Sequence, residues 1–467
     1  MKQLRWGWRK RLTGLCLLSL MILTGCQYTA TPADLLLNPR STPENERLAS
    51  AVKDALPPKA KLSLPLEAQS ISAVNKQDVD GDGREEAVVT FMNENGTQQV
   101  MLLRASDDGS WKYWFTIAEM SSYGIDRIMV EDMDDNGQPE VLIGWGLYGQ
   151  PEYQLNIYQI RKDYTGEEPL LPAAKLPYNT LEIGEVDGDG HSEIVLILLD
   201  REEMRASLQV YRAKENTVYR AASVPLSGAV NGYYNLAVGK IAADRYGLVT
   251  DASIGAHSSA TTMFAWSEGN LMKVYPSARP SSPGEGYNIY STEGGDGNKD
   301  GILDLHVMQE APGQNPEISY AETLFIQQYL QWNGRDEFQQ IQERYADYTQ
   351  GYAIDIPLAW QGMYTISRPR AKEETGIVFE YYNVITKERA ALFTIHPVPL
   401  AEWGDIEQQW QDGGVQYAEL VTAAGIQYAA VWGEPPALWS REEKERYRQV
   451  KPDKTELKRL FEVLPSE

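Results

Sequence analysis

In the middle of the chain the apolar positions fall in short runs broken by turn residues. The first stretch runs 87–92, Asn95-Gly96, 99–105, Asp107-Asp108-Gly109, 111–117 and 125–130. Runs of this length, rich in β-branched and aromatic residues, read as strands, and Asn-Gly and Asp-Gly between them are strong hairpin signals. The pattern predicts units of four strands in about 40–50 residues, the length of one β-propeller blade. It holds over about 62–350. Beyond Gly351 it changes: 352–360, 376–382 and 390–395 read as strands, 401–411 as a helix, and 415–423 and 426–431 as strands. Ser440-Arg441-Glu442-Glu443 reads as a capping box opening a helix, and a last helix is predicted over 454–463. The expected fold is mainly β, a propeller of about five blades over 62–350 followed by a small α+β domain over 351–467.

The four-strand pattern coincides with an internal repeat. Four segments align on one glycine: 78–86 on Gly83, 132–140 on Gly137, 185–193 on Gly190 and 296–304 on Gly301. Their positions 1, 3, 5 and 9 carry side-chain oxygens. These are Asp78, Asp80, Asp82 and Glu86; Asp132, Asp134, Asn136 and Glu140; Glu185, Asp187, Asp189 and Glu193; and Asp296, Asn298, Asp300 and Asp304. Arg84, Gln138, His191 and Ile302 at position 7 complete the candidate ligand sets. A degraded copy, with Ala242, Asp244, Tyr246 and Thr250 at the four positions, aligns on Gly247, so that successive glycines are 54, 53, 57 and 54 residues apart. Oxygens at alternate positions let a tight loop aim several donors at one hard cation, and calcium is the natural guest, up to four ions in all. An EF-hand is excluded, because position 12 would need a bidentate Glu where these copies have Val89, Ile143, Leu196 and Val307, and strands rather than helices follow the loops.

On these residues the segment 62–350 resembles FG-GAP (VCBS-type, integrin-alpha-like) repeats. The resemblance implies a propeller with calcium in the four intact loops and none in the degraded one. Closure is expected by pairing 66–74 with 323–332 and 337–344.

The N-terminus carries a different signal. Lys2, Arg5, Arg9, Lys10 and Arg11 precede an apolar run over 12–24, shorter than the roughly 20 residues a membrane span needs. Leu23-Thr24-Gly25-Cys26 behind this leader resembles a bacterial lipoprotein signal. That resemblance implies cleavage of 1–25, a diacylglyceryl group on Cys26, and an extracytoplasmic protein attached to a membrane. Cys16 is lost with the leader, so no free thiol would remain for nucleophilic or thiolate-metal chemistry. Residues 26–61 read as a Pro-rich stalk, with one helix opened by Ser41-Thr42-Pro43-Glu44 and ended by Pro57.

Charge then narrows the partners. The net charge is −23, and loss of the five leader cations takes it to −28, which excludes nucleic acid and other polyanions as electrostatic partners. Gly144-Trp145-Gly146-Leu147-Tyr148-Gly149 fits a dinucleotide fingerprint in letters only, because Pro151 and a second strand follow where a helix is needed. Of the four histidines, His257 beside Ser258 and Ser259 is the one placed for an exposed loop. Trp145, Tyr148, Tyr153, Tyr233 and Tyr234 suit either sugar stacking or packing between blades. With no catalytic motif in view, the sequence favours a binding module for a protein or polysaccharide ligand. The alternative is a carbohydrate-active lyase or hydrolase using the propeller funnel.

Overall fold

A computed structural model describes residues 42–464 apart from 69, 215–216, 278–283, 316, 320–321 and 370–375. The leader, Cys26 and the stalk up to residue 41 lie outside the described residues. Among the described residues no helix is long and apolar enough to cross a membrane.

The chain divides into two compact units, one made of the segment up to Leu56 with Leu103–Tyr113, the other of Pro57–Leu102 with Trp114 onward. The first holds α1 (Pro43–Ala55) at the expected place: Thr42 Oγ1 accepts the Asn45 N–H at 3.2 Å, Pro43 opens the helix, and Leu48 and Val52 are its buried face.

The protein is mainly β, with 49% of residues in strands and 12% in helices. The first sheet contains β1 (Lys61–Leu62), β2 (Val74–Gln77), β3 (Glu86–Met92), β4 (Gln98–Ala105) and β5 (Trp111–Ile117), in the order β1-β3-β4-β5 with β2 also on β3. The second is β6 (Ser122–Glu131), β7 (Glu140–Leu147), β8 (Tyr153–Gln159) and β9 (Ala174–Tyr178); the third is β10 (Thr180–Gly184), β11 (Glu193–Asp200), β12 (Arg205–Lys214) and β13 (Thr217–Ser227). The fourth is β14 (Gly232–Ala242), β15 (Arg245–Ser253), β16 (Ser259–Ser267) and β17 (Asn270–Tyr275), with β18 (Tyr287–Asn288) on β16. All are antiparallel meanders, as the hairpin signals require.

The fifth sheet starts with a bridge between Gly295 and Asp304 and continues through β19 (Leu305–Glu310), β20 (Phe325–Trp332), β21 (Phe338–Asp347) and β22 (Tyr352–Ile356). The sixth has the order β23-β24-β25-β27-β26, from β23 (Tyr364–Ser367), β24 (Ile377–Tyr382), β25 (Arg389–Pro399), β26 (Tyr417–Ala423) and β27 (Ile426–Trp432). It is accompanied by α2 (Leu400–Asp412), α3 (Arg441–Val450) and α4 (Lys454–Leu460), and the final strand β28 (Phe461–Val463) returns to pair with β22.

Among the described residues, a buried cluster joins each of the first four sheets to the next. Val88, Val100 and Ile117 of the first sheet meet Val141, Ile143 and Trp145 of the second. Leu142, Leu155 and Ile157 meet Ile194 and Leu196 of the third. Val195, Leu208 and Val210 then meet Leu236, Leu248 and Phe264 of the fourth, and Val249, Met263 and Ala265 meet Leu305 and Trp332 of the fifth. Strands buried on both faces explain the continuous apolar runs, and sheets packed face to face in succession are the packing mode of propeller blades.

Three expectations are corrected. The closure of 66–74 onto 323–332 or 337–344 is not formed. The Leu66 and Glu67 N–H groups donate to the Ile125 and Asp126 carbonyls of β6 at 3.0 and 2.8 Å, β2 pairs with β3, and the outer side of β21 is taken by β22. The strand pattern also does not break at Gly351: β22 belongs to the fifth sheet and stops at Pro357, which is followed by a 3-10 turn at Leu358–Trp360 rather than more strand. The predicted helix over 454–463 ends at Leu460, because Phe461–Val463 are drawn into register with Tyr352–Ile354.

Candidate metal centres

All four intact copies of the repeat connect the first and second positions of a sheet. Residues 78–85 link β2 to β3, 132–139 link β6 to β7, 185–192 link β10 to β11, and 296–303 link the two sides of the Gly295–Asp304 bridge. Their folding is dictated by the ligand residues themselves. The position-1 carboxylate reaches over the loop to accept the position-6 glycine N–H: Asp78 from Gly83 at 2.8 Å, Asp132 from Gly137 at 2.8 Å, Glu185 from Gly190 at 2.5 Å and Asp296 from Gly301 at 2.9 Å. That glycine has φ between 80° and 95° in all four, which a side chain would resist. The position-5 oxygen accepts the position-7 N–H, from Arg84, Gln138, His191 and Ile302 at 2.7–3.0 Å. In the first three loops the position-9 Glu also accepts the position-2 N–H, with Glu86, Glu140 and Glu193 at 3.0–3.2 Å from Val79, Met133 and Val186.

Each loop is thus a cage whose backbone is held by carboxylates. In the first, Asp78, Asp80 and Glu86 have ligand atoms within 4.8 Å of one another, and so do Glu185, Asp187, Asp189 and Glu193 in the third. Asp80, Glu86, Glu140, Glu193 and Asp304 are all buried. Burial first, and neighbouring carboxylates after it, oppose the ionisation of three of these: Glu140 is raised, Glu193 is pushed up to about 7 and Asp304 to about 6. Groups so placed are charged at low cost only beside a cation.

The structure adds residues that the repeat motif did not reveal, on the third strand of the second, third and fifth sheets directly across from position 9. Gln159 on β8 pairs in register with Glu140 and donates to its Oε1 at 2.9 Å. Gln331 on β20 donates to Asp300 Oδ2 at 3.0 Å and Asp304 Oδ1 at 3.2 Å. In the third loop the corresponding residue is Arg212 on β12, which ion-pairs with Asp187, Asp189 and Glu193. They lie a hairpin away in sequence, so no spacing rule within the loop points to them.

The donor sets of the second and fourth loops fit a hard cation. They are all oxygen, and in the fourth the buried Asp304 Oδ2 has no hydrogen-bond partner. The third does not fit as it stands, since a guanidinium already lies among its carboxylates. At position 7 two side chains are not brought in: Ile302 has no donor atom, and His191 turns its Nδ1 to Asp135 of the second loop at 3.4 Å.

The degraded copy is not a loop. Ala243 and Asp244 form a two-residue turn between β14 and β15, Ala242 pairs with Arg245, and Tyr246, Gly247 and Thr250 are strand residues. Gly247 is glycine for a different reason: a Cβ there would lie 2.0 Å from the Phe264 carbonyl oxygen. Consecutive loops lie side by side. A Cβ on Gly81 would meet the Gly137 carbonyl oxygen at 2.1 Å, Ser192 donates to Glu131 at 3.0 Å, and Gly188 faces the Tyr246 ring.

The remaining candidates carry no site. Gly144–Gly149 is part of the β7–β8 hairpin, with Gly146 under the Tyr123 ring. His257 is exposed, and Trp145 is core.

No protein-family model and no curated protein matches this chain. Solved structures overlap it only distantly. An exotype rhamnogalacturonan lyase (YesX) is 11% identical over 72% of this chain and 67% of its own, with a TM-score of 0.28. An exo-β-1,3-galactanase from Phanerochaete chrysosporium is 10% identical over 79% and 76%, TM-score 0.27, and the β-propeller domain of the trilobed protease from Pyrococcus furiosus is 11% identical over 69% and 93%, TM-score 0.27. Scores of this size assign neither fold nor chemistry, which rest on the geometry above.

Proposed function

We propose that this chain is an extracytoplasmic lipoprotein, anchored to a membrane through Cys26, whose propeller of about five blades is braced by calcium and presents a binding face to a protein or polysaccharide. One observation carries the calcium part: the same oxygen-rich cage recurs at the same connection in four of five successive sheets. A single acidic loop is an ordinary turn, whereas four with the same hydrogen-bond pattern are a device. A groove of about 1550 Å³ runs past β17, β19 and β21, with Tyr287, Trp332, Glu310, Asp336 and Glu337 on its walls. Its mixed aromatic and acidic lining is suited to a neutral glycan or a basic peptide, in keeping with the acidic chain. The reading is tested by elemental analysis of the purified protein and by melting it in chelator, calcium and magnesium. Calcium is expected to co-purify and to raise Tm well above magnesium, whose strict octahedral geometry suits such loops poorly. A protein without calcium whose melting ignores chelator refutes it.

A further inference from the structure

We propose that Arg212 takes the place of a metal ion in the third loop, so that this copy is neutralised by the chain itself and binds no calcium; the proposal rests on the calcium reading of the repeat. Counting one step from the Ile194–Tyr211 pair puts Arg212 across from Glu193. Its guanidinium reaches into the loop. Nη2 pairs with Asp187 and lies 3.5 Å from Asp189 Oδ2, while Nε lies 3.4 Å from Glu193 Oε1. These are positions 3, 5 and 9, the donors a loop-bound cation needs. The Asp187 and Glu193 side chains are each 1% exposed, whereas Arg212 is 28% and Asp189 41% exposed, so the guanidinium covers the two buried carboxylates from the mouth of the loop. Trp266 of β16 closes the other side, with its ring 5.6 Å from Arg212 Cζ. A planar, permanently charged group lying among three carboxylates and beside a tryptophan occupies the volume an ion would need.

The second and fourth copies show the contrast. Where the third loop has Arg212, the second has Gln159 and the fourth Gln331, each donating through a neutral amide to the position-9 carboxylate. An amide satisfies one lone pair and leaves the charge in place, so those loops still depend on an added cation. The third loop also has a carboxylate at all four side-chain positions, as the first does, where the second and fourth have Asn136 and Asn298. Acidity alone would rank it above the second and fourth as a calcium site, and the cross-strand residue reverses that ranking.

The test counts calcium bound per full-length chain, by elemental analysis at saturating free calcium, in wild type, Asp187→Asn and Arg212→Gln. Asp187→Asn is expected to leave the wild-type count unchanged. Arg212→Gln, which makes the third loop like its neighbours, is expected to add one ion, and its Tm in chelator falls below that of wild type because the internal counter-ion is gone. If Asp187→Asn removes one ion from wild type, the third loop is an ordinary site: the inference is overturned and the calcium reading stands. If neither wild type nor Arg212→Gln binds calcium, both fall. The Asp187→Asn comparison decides the matter even where Arg212→Gln does not fold.

Discussion

Asp304→Asn offers a test whose sign depends on the ion. The Asp304 side chain is fully buried, and its Oδ2 has no hydrogen-bond partner. Burial, with Asp300 and Asp296 nearby, raises its carboxyl to about 6 from an ordinary 3.8. In the folded protein the neutral form is therefore favoured. The cost of ionisation is absent below the unfolded value, grows as pH rises through the folded one, and is complete at pH 8. At about 1.4 kcal/mol per pH unit, a shift of this size costs up to about 3 kcal/mol. Removing the charge in chelator at pH 8 is expected to return part of that, less what the Gln331 amide loses when its acceptor changes. With unfolding entropy of roughly 0.9 kcal/mol/K for a chain of about 400 residues unfolding as one unit, Tm rises by about 1–3 °C. In saturating calcium the same substitution removes a ligand from the fourth loop, and the site's contribution, about 2.7 kcal/mol at a hundredfold excess over Kd, is largely lost. Tm then falls by a similar amount. The assay is thermal unfolding followed by circular dichroism, wild type against variant, in both conditions and at pH 6 and 8. In chelator the advantage of the variant shrinks at pH 6, where wild type has begun to take up the proton. A variant equally destabilised with and without calcium would mean that Asp304 is a structural residue and that the cation reasoning for this loop is wrong.

Further outcomes follow from the same reading. Asp134→Ala and Asp80→Ala are each expected to reduce the calcium-induced rise in Tm by about 2–3 °C, the contribution of one site. Asp244→Ala, in the two-residue β14–β15 turn, leaves that rise unchanged, and a loss there as large as at Asp134 would contradict the strand assignment of the degraded copy. Cys26→Ala, expressed in a bacterial host that processes lipoproteins and then fractionated, is expected to leave the membrane fraction; retention with unchanged processing refutes the anchor. At a net charge of −23 the full chain is expected to pass through a heparin column at low salt, and salt-sensitive retention refutes the exclusion of polyanions.

What the sequence made legible was local, and what it hid was set by pairing across strands. Asn95-Gly96 and Asp108-Gly109 announced hairpins because their chemistry is contained in adjacent residues, and the strands they bound formed within a few residues of the expected limits. The same holds for Thr42 and Ser440, whose side chains cap α1 and α3 as expected. Glu443, however, does not close the box. Its carboxylate accepts from Tyr381 Oη at 2.6 Å and Asn383 Nδ2 at 2.9 Å, a tertiary network that no helical spacing announces. The fate of the 242–250 copy was hidden for a related reason. Its glycine recurs at the period of the others, yet it is required by contact with β16 rather than by a turn.

Arg212, Gln159 and Gln331 extend that point from fold to chemistry. The loop motif fixes which oxygens can converge, because Asp and Glu at alternating positions also bind the loop's own N–H groups. It does not fix the charge that the converged oxygens meet, since that comes from a residue on the next strand but one from the start of the sheet. The loops are moreover not isolated. His191 of the third lies beside Asp135 of the second at 3.4 Å, and Ser192 donates to Glu131 at the end of β6. Carboxylates left uncompensated in one loop therefore act on its neighbour as well as on their own strands, with a Coulomb term of order 1–4 kcal/mol for charges about 4 Å apart, depending on solvent access. An internal cation in the middle of such a row steadies the loops beside it at any calcium concentration, whereas an ion in the second or fourth loop does so only when calcium is supplied.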